Sequence, residues 1–107
     1  MTLPVQVTFH GLPTSPALFD YVQKKAEKLH RLHRRITRFR VAIEAPHKHQ
    51  RIGGAFRVRI ELGVPKEAIV VGRHGGDSQK DAYAAVDVAF DEAQRMLRDH
   101  NTRTRGH

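Results

Sequence analysis

Residues from about Ser78 to about His100 carry one apolar stripe, and a chain with such a helix must fold so that something covers it. Tyr83, Val86, Phe90, Ala93 and Leu97 follow at steps of three, four, three and four, which lines all five along one side of an α-helix. Ala82, Ala89 and Met96 widen the stripe. Ser78 is the expected N-cap, and Asp81, three residues on, completes a short-armed capping box. Beyond Leu97 the apolar pattern stops, so residues 1–100 are expected to form one domain and 101–107 a basic tail with nothing to bury.

The rest of the chain supplies the cover. Val5, Val7 and Phe9 alternate with Gln6, Thr8 and His10, the two-residue period of a half-buried strand. Ser15 followed by Pro16 marks a helix start, a capping hydroxyl and then a proline whose missing N–H costs nothing there. This helix is predicted from Pro16 to about Arg35, with Leu18, Val22, Ala26 and Leu29 inward and Tyr21 and Leu32 at the margins. Phe39, Val41, Ile43 and Ala45 form a second alternating strand that Pro46 ends, and Phe56, Val58, Ile60 and Leu62 a third. Between them His47 to Gly54 reads as a polar loop. Val64-Pro65-Lys66-Glu67 reads as a tight turn into a short fourth strand, Ala68 to Val71, and Gly72 to Asp77 as a link to the last helix.

The order is therefore β-α-β-β-β-α. A helix between the first two strands predicts a parallel crossover, and short links between the others predict an antiparallel meander. Each strand has one apolar face, so both helices are expected on that face of a four-stranded mixed sheet, a two-layer α+β sandwich. The opposite face carries Arg40, Arg57 and Arg59 beside Glu44 and Glu61 and should be wet.

Charge narrows the function. Nineteen Lys and Arg against 11 Asp and Glu give a net charge of +8 with histidines neutral. That excess favours a polyanion partner, nucleic acid before membrane, since no amphipathic segment is left free to insert. On the first helix Lys24, Lys28, Arg31 and Arg35 share one face, flanked by Lys25 and Arg34, with only Glu27 offsetting them locally. A solvated face is the usual reading of helix charges; the single sign of these favours a binding face. An RNA-recognition motif would need aromatics on the open face of its strands, but Phe9, Phe39 and Phe56 are in the apolar register. There remains a helix-borne basic surface for phosphates of structured RNA.

Other chemistry finds little support. No phosphate-loop, dinucleotide or nucleophile-elbow pattern is present, Asp87 and Asp91 have an ordinary polar-face spacing, and no enzyme activity, cofactor or small-molecule substrate is expected. The absence of cysteine excludes disulfides and thiolate metal sites. Eight histidines, with His30 and His33 one turn apart and His47 and His49 in one loop, leave a histidine-dependent metal-binding protein as one alternative. No carboxylate or third histidine stands at a convincing spacing, so incidental histidines that add charge below about pH 6.5 are the simpler reading. No segment has the roughly 18 consecutive apolar residues of a membrane span, nor does the N-terminus show a signal segment; a cytoplasmic monomer is expected.

Two segments resemble a known family. Ala17-Leu18, Tyr21-Val22, Lys25, Lys28-Leu29 and Arg35-Ile36, followed by a strand, resemble the first helix of the ribosome hibernation promoting factors, also called ribosome-associated inhibitors or sigma-factor modulation proteins. Asp81-Ala82-Tyr83-Ala84-Ala85-Val86-Asp87, running on to Arg95 and Leu97, resembles that family's Asp-x-Tyr-x-Ala-Ile-Asp signature. The resemblance implies a short-form bacterial protein that binds the small ribosomal subunit and its ribosomal RNA in the channel used by messenger and transfer RNA, blocking translation in stress or stationary phase. By position it implies Lys25, Lys28, Arg35 and Arg95 as RNA contacts and places Arg73 where the family has a basic residue before its last helix. Lys24, Arg31 and Arg98 complete the expected set. Glu92 and Asp99 depart from a lysine-richer second helix, His47 to Gly54 is longer and more basic than in short members, and one or two residues are inserted around Gly75. A module for another structured RNA, or for ribosome assembly, is the other alternative.

Overall fold

Apolar residues at every second position give each strand one face to bury, and a sheet of such strands is stable only under a second layer. The computed structural model describes residues 4–45, 56–72 and 81–105. It contains β1 (Val5–His10), α1 (Pro16–Leu32), β2 (Arg38–Glu44), β3 (Arg57–Val64), β4 (Glu67–Val71) and α2 (Ala82–Arg105), in the predicted β-α-β-β-β-α order. The strands form one sheet in the order β1-β2-β3-β4. β1 and β2 run parallel, as a crossover through α1 requires, while β2, β3 and β4 form the antiparallel meander.

Register decides what each face holds. Val7, Val41, Ile60 and Val71 form one continuous cross-strand row, and the neighbouring rows repeat it with Phe9, Ile43 and Val58 and with Phe39, Leu62 and Ile69. These side chains join Leu18, Val22, Ala26 and Leu29 of α1 and Val86, Phe90, Ala93 and Leu97 of α2 in a single core. Phe39 and Phe90 meet there with ring centroids 5.9 Å apart. Both helices therefore cover the same face, as expected of the α+β sandwich.

Both helix starts are capped. Ser15 is extended, its Oγ accepts from the Leu18 amide, and Pro16 occupies the first turn. At α2 the cap is Asp81, whose Oδ1 accepts from the Tyr83 amide at 3.0 Å while its carbonyl accepts from Ala85. The expected cap, Ser78, lies outside the described residues, as do the His47 to Gly54 loop and Arg73.

Three expectations change. First, α1 ends at Leu32, not about Arg35, with His33 as C-cap. Leu32 is 57% exposed, so a further turn would gain no core contact; the chain instead bends through Arg34 and Arg35 to bring Ile36 into the core ahead of β2. Second, Tyr83 is not core: it is 39% exposed at the helix–helix seam. Third, residues 101–105 are helical, not tail. His100 is buried, its Nδ1 lies 2.6 Å from Glu67 Oε2 at the start of β4, and Arg103 donates to the same oxygen at 3.0 Å. This polar clip extends α2 past its last apolar residue.

The β3–β4 turn is closed by Pro65 and Lys66, and Val64 pairs with Glu67 across it. Proline holds φ negative, so the left-handed residue must be Lys66, at φ 72°.

Candidate nucleic-acid interface

The helix layer has two kinds of surface, a seam between α1 and α2 and the outward face of each. At the seam's start Asp87 of α2 is the shared acceptor. Tyr21 Oη donates to its Oδ1 at 2.6 Å, and Lys25 Nζ lies 2.8 Å from the same oxygen. The Tyr83 ring meets Tyr21 edge to face at 5.0 Å, and Lys25 Nζ lies 5.5 Å from the Tyr21 ring centre. At the other end Asn101 Nδ2 lies 3.0 Å from His33 Nδ1. Tyr21 meets Asp87 and His33 meets Asn101, so the helices run side by side in the same sense, with the C-terminal turns of both together.

Three titrations are displaced there. The hydrogen bond and charge of Lys25, then the Tyr21 hydroxyl, hold the Asp87 carboxyl below its ordinary value of 3.8, and the same bond to Asp87 pushes Tyr21 up. Burial and then the nearby Arg98 guanidinium lower His33. A carboxyl depressed in the fold contributes stability above its unfolded pKa, and the contribution is lost as pH falls through the folded one. The pair is partly exposed, at 32% and 45% for Lys25 and Asp87, so about 0–1 kcal/mol is involved. Asp87→Asn is therefore expected to lower the melting temperature by a few degrees at pH 7. The difference should begin to shrink below pH 3.8 and vanish only once the pH has fallen through the lower folded value, and melts at pH 7 and over that acid range check this.

The expected site residues divide accordingly. Lys24, Lys28 and Arg31 project from the exposed face of α1, and none of the three has an ion-pair partner among the described residues. Arg35 and its neighbour Arg34 are exposed too, but on the turn after the helix, where they prolong the ridge instead of completing a helical face. Lys25 stands apart because its ammonium is spent on Asp87. On α2, Arg95 is paired with Glu92 one turn earlier, while Arg98 is exposed near the end of α1. Position along the helices separates the charges: Asp87 and Asp91 precede Arg95 and Arg98 on one stripe. The cationic surface thus runs along α1 and gathers where both helices end.

Sequence reasoning treated Asp87 as ordinary, although a Tyr and a Lys one turn apart facing an Asp signature were visible in principle. Among the described residues, no three His, Asp or Glu side chains are placed to share a metal ion. Among the same residues, no helix is long and apolar enough to cross a membrane.

No curated protein sequence matches the chain significantly. Among the solved structures that share its fold are the following two. A ribosomal subunit interface protein from Coxiella burnetii superposes with a TM-score of 0.73 at 22% identity, covering 92% of this chain and 97% of that one. The N-terminal domain of Protein Y from Thermus thermophilus superposes with a TM-score of 0.69 at 23% identity, covering 94% of this chain and 99% of that one. Residues 5–105 also match the sequence profile of the sigma 54 modulation protein / S30EA ribosomal protein family, which spans both helices, all four strands and the Asp81–Asp87 signature. The chain belongs to that family.

Proposed function

We propose that this protein binds the small ribosomal subunit through the α1 ridge and inhibits translation by occupying the channel of messenger and transfer RNA, under stress or in stationary phase. The observation that carries the reading is the row Lys24, Lys28 and Arg31, exposed and without ion-pair partners among the described residues, on a chain of this family, extended by Arg34, Arg35 and Arg98. Unpaired cations of one sign at one- to two-turn spacing match the phosphate repeat of an RNA strand, and releasing counterions drives such contacts. Lys25 contributes mainly to holding the helices together, and Arg95 contributes when it leaves Glu92. Arg73 belongs to the same proposed surface by sequence position. Inhibition is by occlusion, with no turnover and no cofactor, and the site of action is the bacterial cytoplasm.

Glu92 lowers the positive field of α2 both by its own charge and by pairing Arg95. The test is sedimentation of the full chain with isolated small and large subunits at several salt concentrations. Co-migration with the small subunit alone is expected, with log affinity falling against log salt at a slope of roughly −4 for about five phosphates, by analogy with duplex DNA. Binding to bare double-stranded RNA as tightly as to subunits would instead support a general structured-RNA module.

A further inference from the structure

The sheet has a second face, opposite the one that α1 and α2 cover. Its outward positions include Gln6, Thr8 and His10 on β1, Arg38, Arg40, Ala42 and Glu44 on β2, and Arg57, Arg59 and Glu61 on β3. Four arginines face two glutamates, and no lysine appears among the strand residues there. Among the described residues only Arg40 of these four is ion-paired, its Nη1 3.5 Å from Glu61. Arg57 is directly across from Glu44 in register yet makes no ion pair with it. Arg38, Arg57 and Arg59 thus have no ion-pair partner among the described residues.

Shape adds to charge. Small side chains at Thr8 and Ala42, in register beside Arg59, leave an open hollow of about 470 Å³ between Arg40 and Arg59, lined also by Gln6, Val41 and Glu61. An arginine fork donates in two parallel bonds to a phosphate, which a lysine cannot do, and the amide and hydroxyl of Gln6 and Thr8 suit a ribose. Among the described residues this face has no exposed aromatic for stacking bases, so the surface reads backbone and not sequence.

We propose that this open sheet face is a second contact for an RNA strand, with Arg57 and Arg59 as its phosphate donors and the hollow over Ala42 receiving a sugar. It rests on the ribosome reading and adds to it: with the α1 ridge on the opposite side, the protein is held by RNA from both sides.

The test compares wild type, Arg57→Thr/Arg59→Thr and Lys24→Glu/Lys28→Glu/Arg31→Glu in titrations against isolated small subunits over a range of salt. Threonine suits a strand, so the melting temperature of the sheet variant should stay within a few degrees. The sheet variant is expected to bind roughly tenfold more weakly, with the salt slope shallower by about two, one per lost phosphate. Because the chain has no cysteine, Ala68→Cys on the same face gives a single attachment point for an iron chelate that cleaves nearby RNA. Cuts in the small-subunit RNA are expected from that position. Unchanged affinity and slope in the sheet variant, beside lost binding in the α1 variant, would overturn the second contact and leave the ribosome reading standing. Weaker binding without RNA cuts would mean that a protein occupies the face, which also overturns it. If neither variant changes binding, the ribosome reading fails and the second contact with it.

Discussion

Reversing Lys24, Lys28 and Arg31 to glutamate is expected to reduce small-subunit affinity by at least roughly a hundredfold. The three side chains are exposed and carry no ion pair among the described residues, so none needs to be released from a partner before it meets a phosphate. Each reversal removes a cation and adds an anion beside the phosphate, worth about 1 kcal/mol per site at partial screening, or about 3 kcal/mol together. The salt slope should become shallower by about three for the same reason. Exposed charges contribute little to folding, so the melting temperature should stay within a few degrees, and relief of like-charge repulsion could raise it slightly. Lys25→Ala is the informative contrast. It loses the tie to Asp87 and so costs some stability, while weakening binding less than Lys28→Ala. A titration of all three variants at one salt concentration, with parallel melts, checks both statements.

Phe90→Ala is expected to have the largest effect on stability. The ring is 5% exposed, in the middle of the α2 stripe, and packs against Phe39, itself almost fully buried on the second strand. Removing it loses the transfer of a buried aromatic and leaves a cavity between helix and sheet, about 3–5 kcal/mol in all. Against a total stability of about 5–15 kcal/mol this is severe, a fall of more than about 10 °C in melting temperature. Tyr83→Ala, seven residues earlier on the same apparent stripe, should cost only about 1 kcal/mol. Its ring is 39% exposed and contributes mainly an edge-to-face contact with Tyr21. Denaturant unfolding of the two variants separates these cases.

That contrast shows what periodicity reveals and what it misses. Spacing identified Val86, Phe90, Ala93 and Leu97 as core because burial under a sheet demands a stripe, and the alternating strands demanded a one-faced sheet. Tyr83 has the same spacing, but it falls where α2 meets α1 and not the sheet, and one sequence does not say which neighbour a helix face meets. The ends of both helices were harder to read for a different reason. α1 stops at Leu32 because Ile36 has to enter the core as the chain turns, a tertiary demand with no local signal. α2 continues to Arg105, held by His100 and Arg103 on Glu67, and polar contacts leave no hydropathy pattern. One trace was there: His100 is three residues beyond Leu97, on the next position of the stripe.

The candidate surface was legible in kind more than in detail. Like-charged residues at one-turn spacing pointed to α1, and Lys24, Lys28 and Arg31 are exposed as that reading requires. Which cations are free could not be read, because Lys25 and Lys28 look alike until Asp87 and Tyr21 are brought beside one of them by the packing of α2.

Competition on the small subunit tests the central claim most directly. Small subunits are first loaded with a messenger RNA and a transfer RNA, then titrated with the labelled full chain at fixed salt, beside empty subunits. Occupancy of the shared channel predicts that the chain binds empty subunits and is excluded from loaded ones, and that it blocks loading when added first. Equal binding to loaded and empty subunits, with translation unaffected, would contradict occlusion and place the α1 ridge on some other part of the ribosome.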